Sequence, residues 1–178
     1  SPTQTLFESL TRATVPSVPH IFRACRTREE MFTLLKLWTA RYRHRYPILS
    51  VGSHGAPGVV SVGDRRAGVD ALVLEEVIDS IAGRATGAWL HVASCEALAL
   101  HGNRLNALRR RAGLAGLSGF QQAVGFVDAL ALETLLFDKL SRTRLNARGK
   151  RAIVRYANTL RVSRGPFQHL GLVVSTSV

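Results

Sequence analysis

A thiol and an imidazole stand at the ends of two short apolar segments of this 178-residue chain. Tyr46 to Gly55 (YPILSVGSHG) carries His54, and Ala88 to Glu96 (AWLHVASCE) carries Cys95. Each segment reads as a buried strand that ends in a reactive group. If the two strands are neighbours in one parallel sheet, His54 and Cys95 meet at its carboxyl edge, where ligands and chemistry collect in open α/β sheets. A thiol with an imidazole is a complete nucleophile–base pair, which is the equipment of a cysteine hydrolase. Residues from Glu96 onward read as a helix, so Cys95 is expected at a strand-to-helix junction. There the positive end of the helix dipole favours thiolate, and outward-pointing amides suit an oxyanion. Gly52 lets the backbone come close, and Gly55 permits a tight turn with an exposed amide. The bland alternative is that Cys95 is a small hydrophobe and His54 a structural histidine.

The elements that must position these groups follow from patterning. Val18 to Cys25 (VPHIFRAC) is apolar enough for a first strand. Thr27 and Glu30 form a capping box, ahead of a helix with Met31, Leu34, Leu35 and Trp38 on one face. Ile48 to Val51 is the second strand, and Gly58 to Asp64 suits a short strand or hairpin arm. Val69, Leu72, Val73, Val77, Ile78 and Ile81 mark an amphipathic helix closed by Gly83. Ala88 to Ser94 is a third long strand, followed by a helix from Glu96 to about Arg111 that buries Leu98, Leu105 and Leu108 and ends at Gly113. Leu114 to Phe120 is a further strand. Asp128 is placed to cap a helix with Leu132, Leu135, Leu136 and Leu140 inward. A helix from about Ala147 to Leu160 and an edge strand over Leu170 to Ser175 complete the chain. Strands alternating with helices specify an α/β fold, a mostly parallel central sheet with helices on both faces as a three-layer sandwich. Residues 1–17 read as an irregular arm and 18–178 as a single domain.

Composition narrows the setting. No apolar run approaches the ~20 residues of a membrane span, and no secretory pattern opens the chain, so a cytoplasmic protein is expected. The first residue is Ser rather than Met, as in a processed piece of a longer protein. Cys25 and Cys95 are too few for a disulfide framework, which points to a reducing compartment. No Cys-x-x-Cys or His-x-x-x-His spacing suggests a metal, and no cofactor is expected. Cys25, His91 and His101 read as structural. The formal charge is +12, and nine of the basic residues follow Asp138, after which no acid occurs. Arg144, Arg148, Arg151 and Arg155 recur at helical spacing within the Arg-rich segment 139–164, a stripe suited to phosphates or an acidic partner. An excess of Arg over Lys among abundant Ala, Gly, Val and Leu is also the usage of a high-GC genome.

The segments around the two candidate residues carry a resemblance. An apolar strand into Ser53-His54-Gly55, followed by Gly58 and the short strand Val59 to Val62, resembles the histidine motif of caspase-like cysteine peptidases. The apolar strand into Ala93-Ser94-Cys95-Glu96 resembles their cysteine motif, and the order of elements between them is similar. The group includes caspases, metacaspases, separases, legumains and bacterial CHAT-type peptidases, and the likeness spans roughly residues 18–140. It implies a caspase-like fold and endopeptidase activity on a peptide or protein substrate, with an activating partner, domain or ligand. Cys95 would attack the scissile carbonyl, His54 would protonate the leaving amine, and the backbone amides of Gly55 and Cys95 would form the oxyanion hole. Ala93 would line the P1 pocket, with Gln121, Gln122 and Asp128 from the loop after the fourth strand. Asp128 could equally be an ordinary helix cap, and Asp64 and Glu96 solvated or capping carboxylates. Two residues depart from the pattern: Ser94 replaces a frequent Ala, and Glu96-Ala97 replaces the Ser-Gly that often follows the cysteine. Two other readings stand beside this one, a nucleic-acid-binding α/β protein using segment 139–164 and an inactive caspase-like interaction scaffold.

Overall fold

The apolar run after Tyr46-Pro47 forms a strand and pairs in parallel with the run that begins at Trp89. These are β1 (Ile48–Gly52) and, later in the chain, β5 (Trp89–Ala93). The computed structural model describes residues 19–64, 68–161 and 167–177, together with 4, 5, 8 and 12. The arm expected over 1–17 therefore lies, apart from those four residues, outside the described part of the chain.

Two sheets are present among the described residues. The larger is four-stranded, in the order β1, β5, β6 (Gly116–Phe120) and β7 (Leu172–Thr176). β1, β5 and β6 run parallel, and β7 closes the far edge antiparallel. The smaller sheet is an antiparallel meander of β2 (Gly55–Ala56), β3 (Val59–Asp64) and β4 (Gly68–Val73). The helices are α1 (Arg28–Leu37), α2 (Leu74–Ile81), α3 (Gly102–Ala112), α4 (Phe126–Ser141) and α5 (Ala147–Arg161). Successive residues of a strand face opposite sides, and the sheet uses this to serve two cores. Leu90, Val92 and Leu117 pack with Leu35, Ile78 and Leu105 of α1, α2 and α3. Trp89 and Phe120 pack with Leu132, Leu136 and Ile153 of α4 and α5. The result is an α/β fold with a mixed, mostly parallel sheet between two helical layers.

The helix signals hold at several ends. Thr27 caps α1 by accepting from the Glu30 amide at 3.2 Å. The Glu30 carboxylate returns to the Arg26 amide at 2.6 Å, so the box closes one residue earlier than the pattern predicts. Gly113 ends α3 with φ +72, the left-handed conformation that favours glycine. Ion pairs fasten α2 to its neighbours: Arg28 to Glu76 at 2.5 Å, Arg111 to Asp79 at 2.9 Å, and Arg104 to Glu75. The Arg28 guanidinium holds the Glu76 carboxyl below the usual carboxylate range.

Four expectations are corrected. Residues 19–26 form no strand and none of them is buried: Pro19 offers no N–H, and residues 19–25 line a space beside β1 without pairing with it; Val18 lies outside the described residues. The helix expected from Val69 begins only at Leu74. Val69 to Val73 pair instead with β3, in a register that runs from Asp64↔Gly68 to Val59↔Val73. Residues 95–98 are turns rather than the start of a helix, and α3 begins at Gly102 with His101 as its N-cap. Gly125, not Asp128, stands at the cap of α4, and Leu135 is 39% exposed rather than inward.

Gly116 shows how tightly β5 and β6 are fitted. A Cβ there would run into the six-membered ring of Trp89, which is fully buried. Gly116→Ala is expected to lower stability by about 1–3 kcal/mol through overpacking, measured by urea denaturation. Gly102→Ala, whose Cβ would meet nothing within 4 Å, is expected to be neutral or stabilising by up to about 1 kcal/mol.

Candidate active site

The two candidate residues issue from adjacent strand ends. The parallel register sets Ile48 opposite Trp89 and continues to Gly52 opposite Ala93. His54 and Cys95 each lie two residues beyond that last pair, on the carboxyl edge of the sheet. His54 is exposed, and its imidazole has no polar partner among the described residues. Cys95 is half-buried.

The two tips touch through their backbones. A Cβ on Gly55 would collide with the Cys95 carbonyl oxygen and come within 2.9 Å of Ser94 Cβ. Only glycine allows this approach, which the sequence predicts at Gly52 rather than at Gly55. The Ser53 hydroxyl donates to the His54 carbonyl at 2.8 Å. That leaves Ser94 as the donor in the 3.4 Å contact between the Ser94 and Ser53 hydroxyls. Farther along, the Gly58 amide donates to the Ala97 carbonyl at 3.3 Å, tying the small sheet to the cysteine loop.

On its other side the cysteine loop is held by the end of β6. The Glu96 amide donates to the Gln122 carbonyl at 3.2 Å, and the Leu98 amide to Phe120 at 3.0 Å. Gln121 Nε2 donates to the Leu100 carbonyl at 3.4 Å. These bonds draw the chain sideways, and Glu96 adopts φ +57 to follow them. A non-glycine residue in that region is uncommon and marks stored strain. Because no helix starts here, the dipole argument for an activated thiol does not apply to Cys95. The thiol instead reaches toward the Val124 carbonyl at 3.8 Å, an acceptor that nothing in the sequence signals. The Cys95 amide has no acceptor among the described residues. No hydrogen bond joins the imidazole to the thiol.

The remaining candidates divide. Ala93 lies at the end of β5, and Gln121 and Gln122 border the cysteine loop through the bonds just given. Asp128 sits in the first turn of α4, where it pairs with His169 at 3.2 Å, both side chains being more than half exposed. Asp64 lies at the far end of the small sheet, paired with Gly68. Cys25 is the other thiol; burial, with a smaller push from Glu30, raises its pKa above the ordinary thiol value. Among the described residues no group of three His, Cys, Asp or Glu could hold a metal ion.

Beneath the site runs a buried polar chain that patterning only half discloses. His91 was readable as facing the interior, but its partners were not. Trp89 Nε1–H donates to Ser118 Oγ at 2.8 Å, and Ser118 lies 2.9 Å from His91 Nδ1. A Glu133 carboxylate only accepts, so the His91 proton is assigned to Nε2, which donates to it at 3.2 Å, and Nδ1 of the neutral ring then accepts from the Ser118 hydroxyl. The Phe120 and Phe137 rings meet the imidazole edge-on, at 5.8 and 5.3 Å. The one legible sign was Glu133, a carboxylate inside the apolar stripe of α4. This chain ties α4 to β5 and β6 directly below the cysteine loop.

Replacing Glu133 tests the assigned proton. Glu133→Leu strands the Nε2–H in the core and is expected to cost about 1–3 kcal/mol. Glu133→Gln keeps an acceptor and is expected to cost less, with urea denaturation as the measurement. Equal losses for both would show that His91 requires the charge rather than the acceptor.

No protein-family model and no curated protein matches this sequence.

Proposed function

We propose that the chain is a caspase-like cysteine endopeptidase working through a Cys95–His54 dyad. The observation that carries this reading is the parallel pairing of β1 with β5, which brings the ends bearing His54 and Cys95 side by side. In the proposed cycle His54 takes the Cys95 thiol proton as the sulfur attacks the scissile carbonyl carbon, forming a C–S bond while the carbonyl π electrons move to oxygen. The oxyanion is received by backbone amides, that of Cys95 and, in the family pattern, that of Gly55. Collapse breaks the C–N bond, His54 delivers a proton to the leaving amine, and a thioester remains. Water then attacks the thioester carbonyl with His54 taking its proton, the C–S bond breaks, and His54 returns the proton to the departing sulfur, which releases the acid and the free thiol.

Substrate contacts are assigned to Ala93, Gln121 and Gln122, which border the cysteine loop. Asp128 is the weakest of the proposed set, since it must leave His169 before it can receive a basic side chain. The thiol must also turn from Val124 toward the substrate carbonyl. A binding-induced shift of the loop before α4 would release it, consistent with activation by a partner or ligand. A cytoplasmic location belongs to the same proposal; what the fold itself adds is that no helix among the described residues is long and apolar enough to cross a membrane.

A second reading has its own observation. Arg144, Arg148, Arg151 and Arg155 are all exposed, and none has a hydrogen-bond or ion-pair partner among the described residues. Such a stripe fits the phosphates of a nucleic acid.

With a fluorogenic peptide library and candidate activators, wild-type cleavage is expected to fall by at least about 100-fold in both Cys95→Ala and His54→Ala. Cleavage undiminished by Cys95→Ala would sink the assignment. For the second reading, affinity for a mixed-sequence duplex is expected to fall with salt. Each phosphate that an Arg148→Ala or Arg151→Ala change leaves unneutralised should make the log–log slope shallower by about 0.9. A salt-independent affinity contradicts that reading.

A further inference from the structure

We propose that the free edge of β1 is a docking site for an extended apolar peptide segment of a partner protein, which adds there as a fifth strand of the main sheet. The main-chain geometry of β1 is the first ground. The Trp89 amide donates to the Pro47 carbonyl at 2.8 Å. Alternate residues of a strand direct their N–H and C=O groups to alternate sides. Pro47, Leu49 and Val51 are therefore committed to β5, while Ile48, Ser50 and Gly52 aim theirs away from it. β1 ends the sheet order, and nothing among the described residues pairs with these outward groups. Natural edges are guarded by charge, proline, bulges or a covering element. Ile48–Gly52 contains no charge and no proline, and residues 19–25, which line the space beside it, make no main-chain hydrogen bond to it.

The space beside this edge is the second ground. A cavity of about 870 Å³ lies along β1 and reaches round the edge to both faces of the sheet. One wall is Met31 and Leu35 of α1 with Trp38 just past its end; the other is Phe137 and Leu140 of α4, with Leu145. These walls belong to two different cores. An added strand alternates its side chains between the two faces, so it fills both walls while pairing its backbone with β1. Ser50 Oγ, which borders the cavity, is buried with no hydrogen-bond partner. The cavity lining includes Arg23, Arg45, His20 and His54 but no Asp or Glu, which favours a segment flanked by acidic residues.

Other occupants satisfy less of this. An acyl chain would fill volume but leave the N–H and C=O groups of three residues unmet. The β1 edge of a second copy would arrive with its own α1 and α4 alongside, competing for the same space. The inference does not rest on the proposed catalysis, because its readout is binding.

The test uses the full chain and three probes: the acetylated and amidated peptide Asp-Val-Leu-Val-Leu-Val-Asp, its analogue N-methylated at alternate residues, and decanoate. Binding is followed by amide hydrogen exchange resolved by residue. The parent peptide is expected to slow exchange at Ile48, Ser50 and Gly52 by at least about tenfold and to leave Leu49 and Val51 unchanged. N-methylation is expected to weaken binding about tenfold or more, since it replaces main-chain donors with methyl groups and leaves the side chains unchanged. Ser50→Pro deletes an outward N–H without touching the β5 ladder and should do the same; if that variant does not fold, the N-methylated analogue still decides. Several results would overturn the proposal: no protection by the parent peptide, equal binding of the methylated analogue, matching protection by decanoate, or protection of the three amides before any peptide is added.

Discussion

The arrangement of this molecule depends on one pairing, the parallel ladder between β1 and β5. It fixes which residues of each strand face which core, and its register brings Gly52 level with Ala93. Everything at the carboxyl edge follows from that alignment. Gly55 then passes so close to the Cys95 carbonyl that no side chain fits between them. A slip of one residue would turn every β1 side chain to the opposite face and separate the two loops.

The cysteine loop is positioned by its neighbours rather than by a helix of its own. It is bonded to Phe120 and Gln122 on one side and to Gly58 on the other, and Glu96 takes a left-handed backbone to satisfy both. Below it, the Trp89–Ser118–His91–Glu133 chain anchors α4 and hence the loop carrying Val124, the acceptor of the thiol. The state of Cys95 is therefore tied to the placement of α4. Groups that hold the cysteine loop in place are engaged, while the His54 imidazole and the Cys95 amide are without partners among the described residues.

Much of the sheet was legible because its strands combine apolar runs with turn residues: Ile48, Trp89, Gly116 and Leu172 begin strands close to where patterning sets them. Failures occurred where local signals were ambiguous or non-local bonds prevailed. Val69, Leu72 and Val73 suit a helix face and a strand equally, and pairing with β3 decides between them. Leu98 continues the spacing of Leu105 and Leu108, but its amide is claimed by Phe120 from another strand, which no periodicity can show. At the site, the close backbone approach expected at Gly52 occurs at Gly55, while the neighbourhood of the two tips was readable. The direction of the thiol and the engagement of Asp128 by His169 were not, because both depend on loops brought together only by the fold.

The central claim, that His54 acts on the Cys95 sulfur, is tested most directly by site-resolved alkylation with iodoacetamide at neutral pH. Cys95 is expected to react at least about tenfold faster than the burial-suppressed Cys25. His54→Ala should remove most of that advantage while leaving the Cys25 rate unchanged. Equal reactivity of the two thiols, or a Cys95 rate indifferent to His54→Ala, would contradict the account.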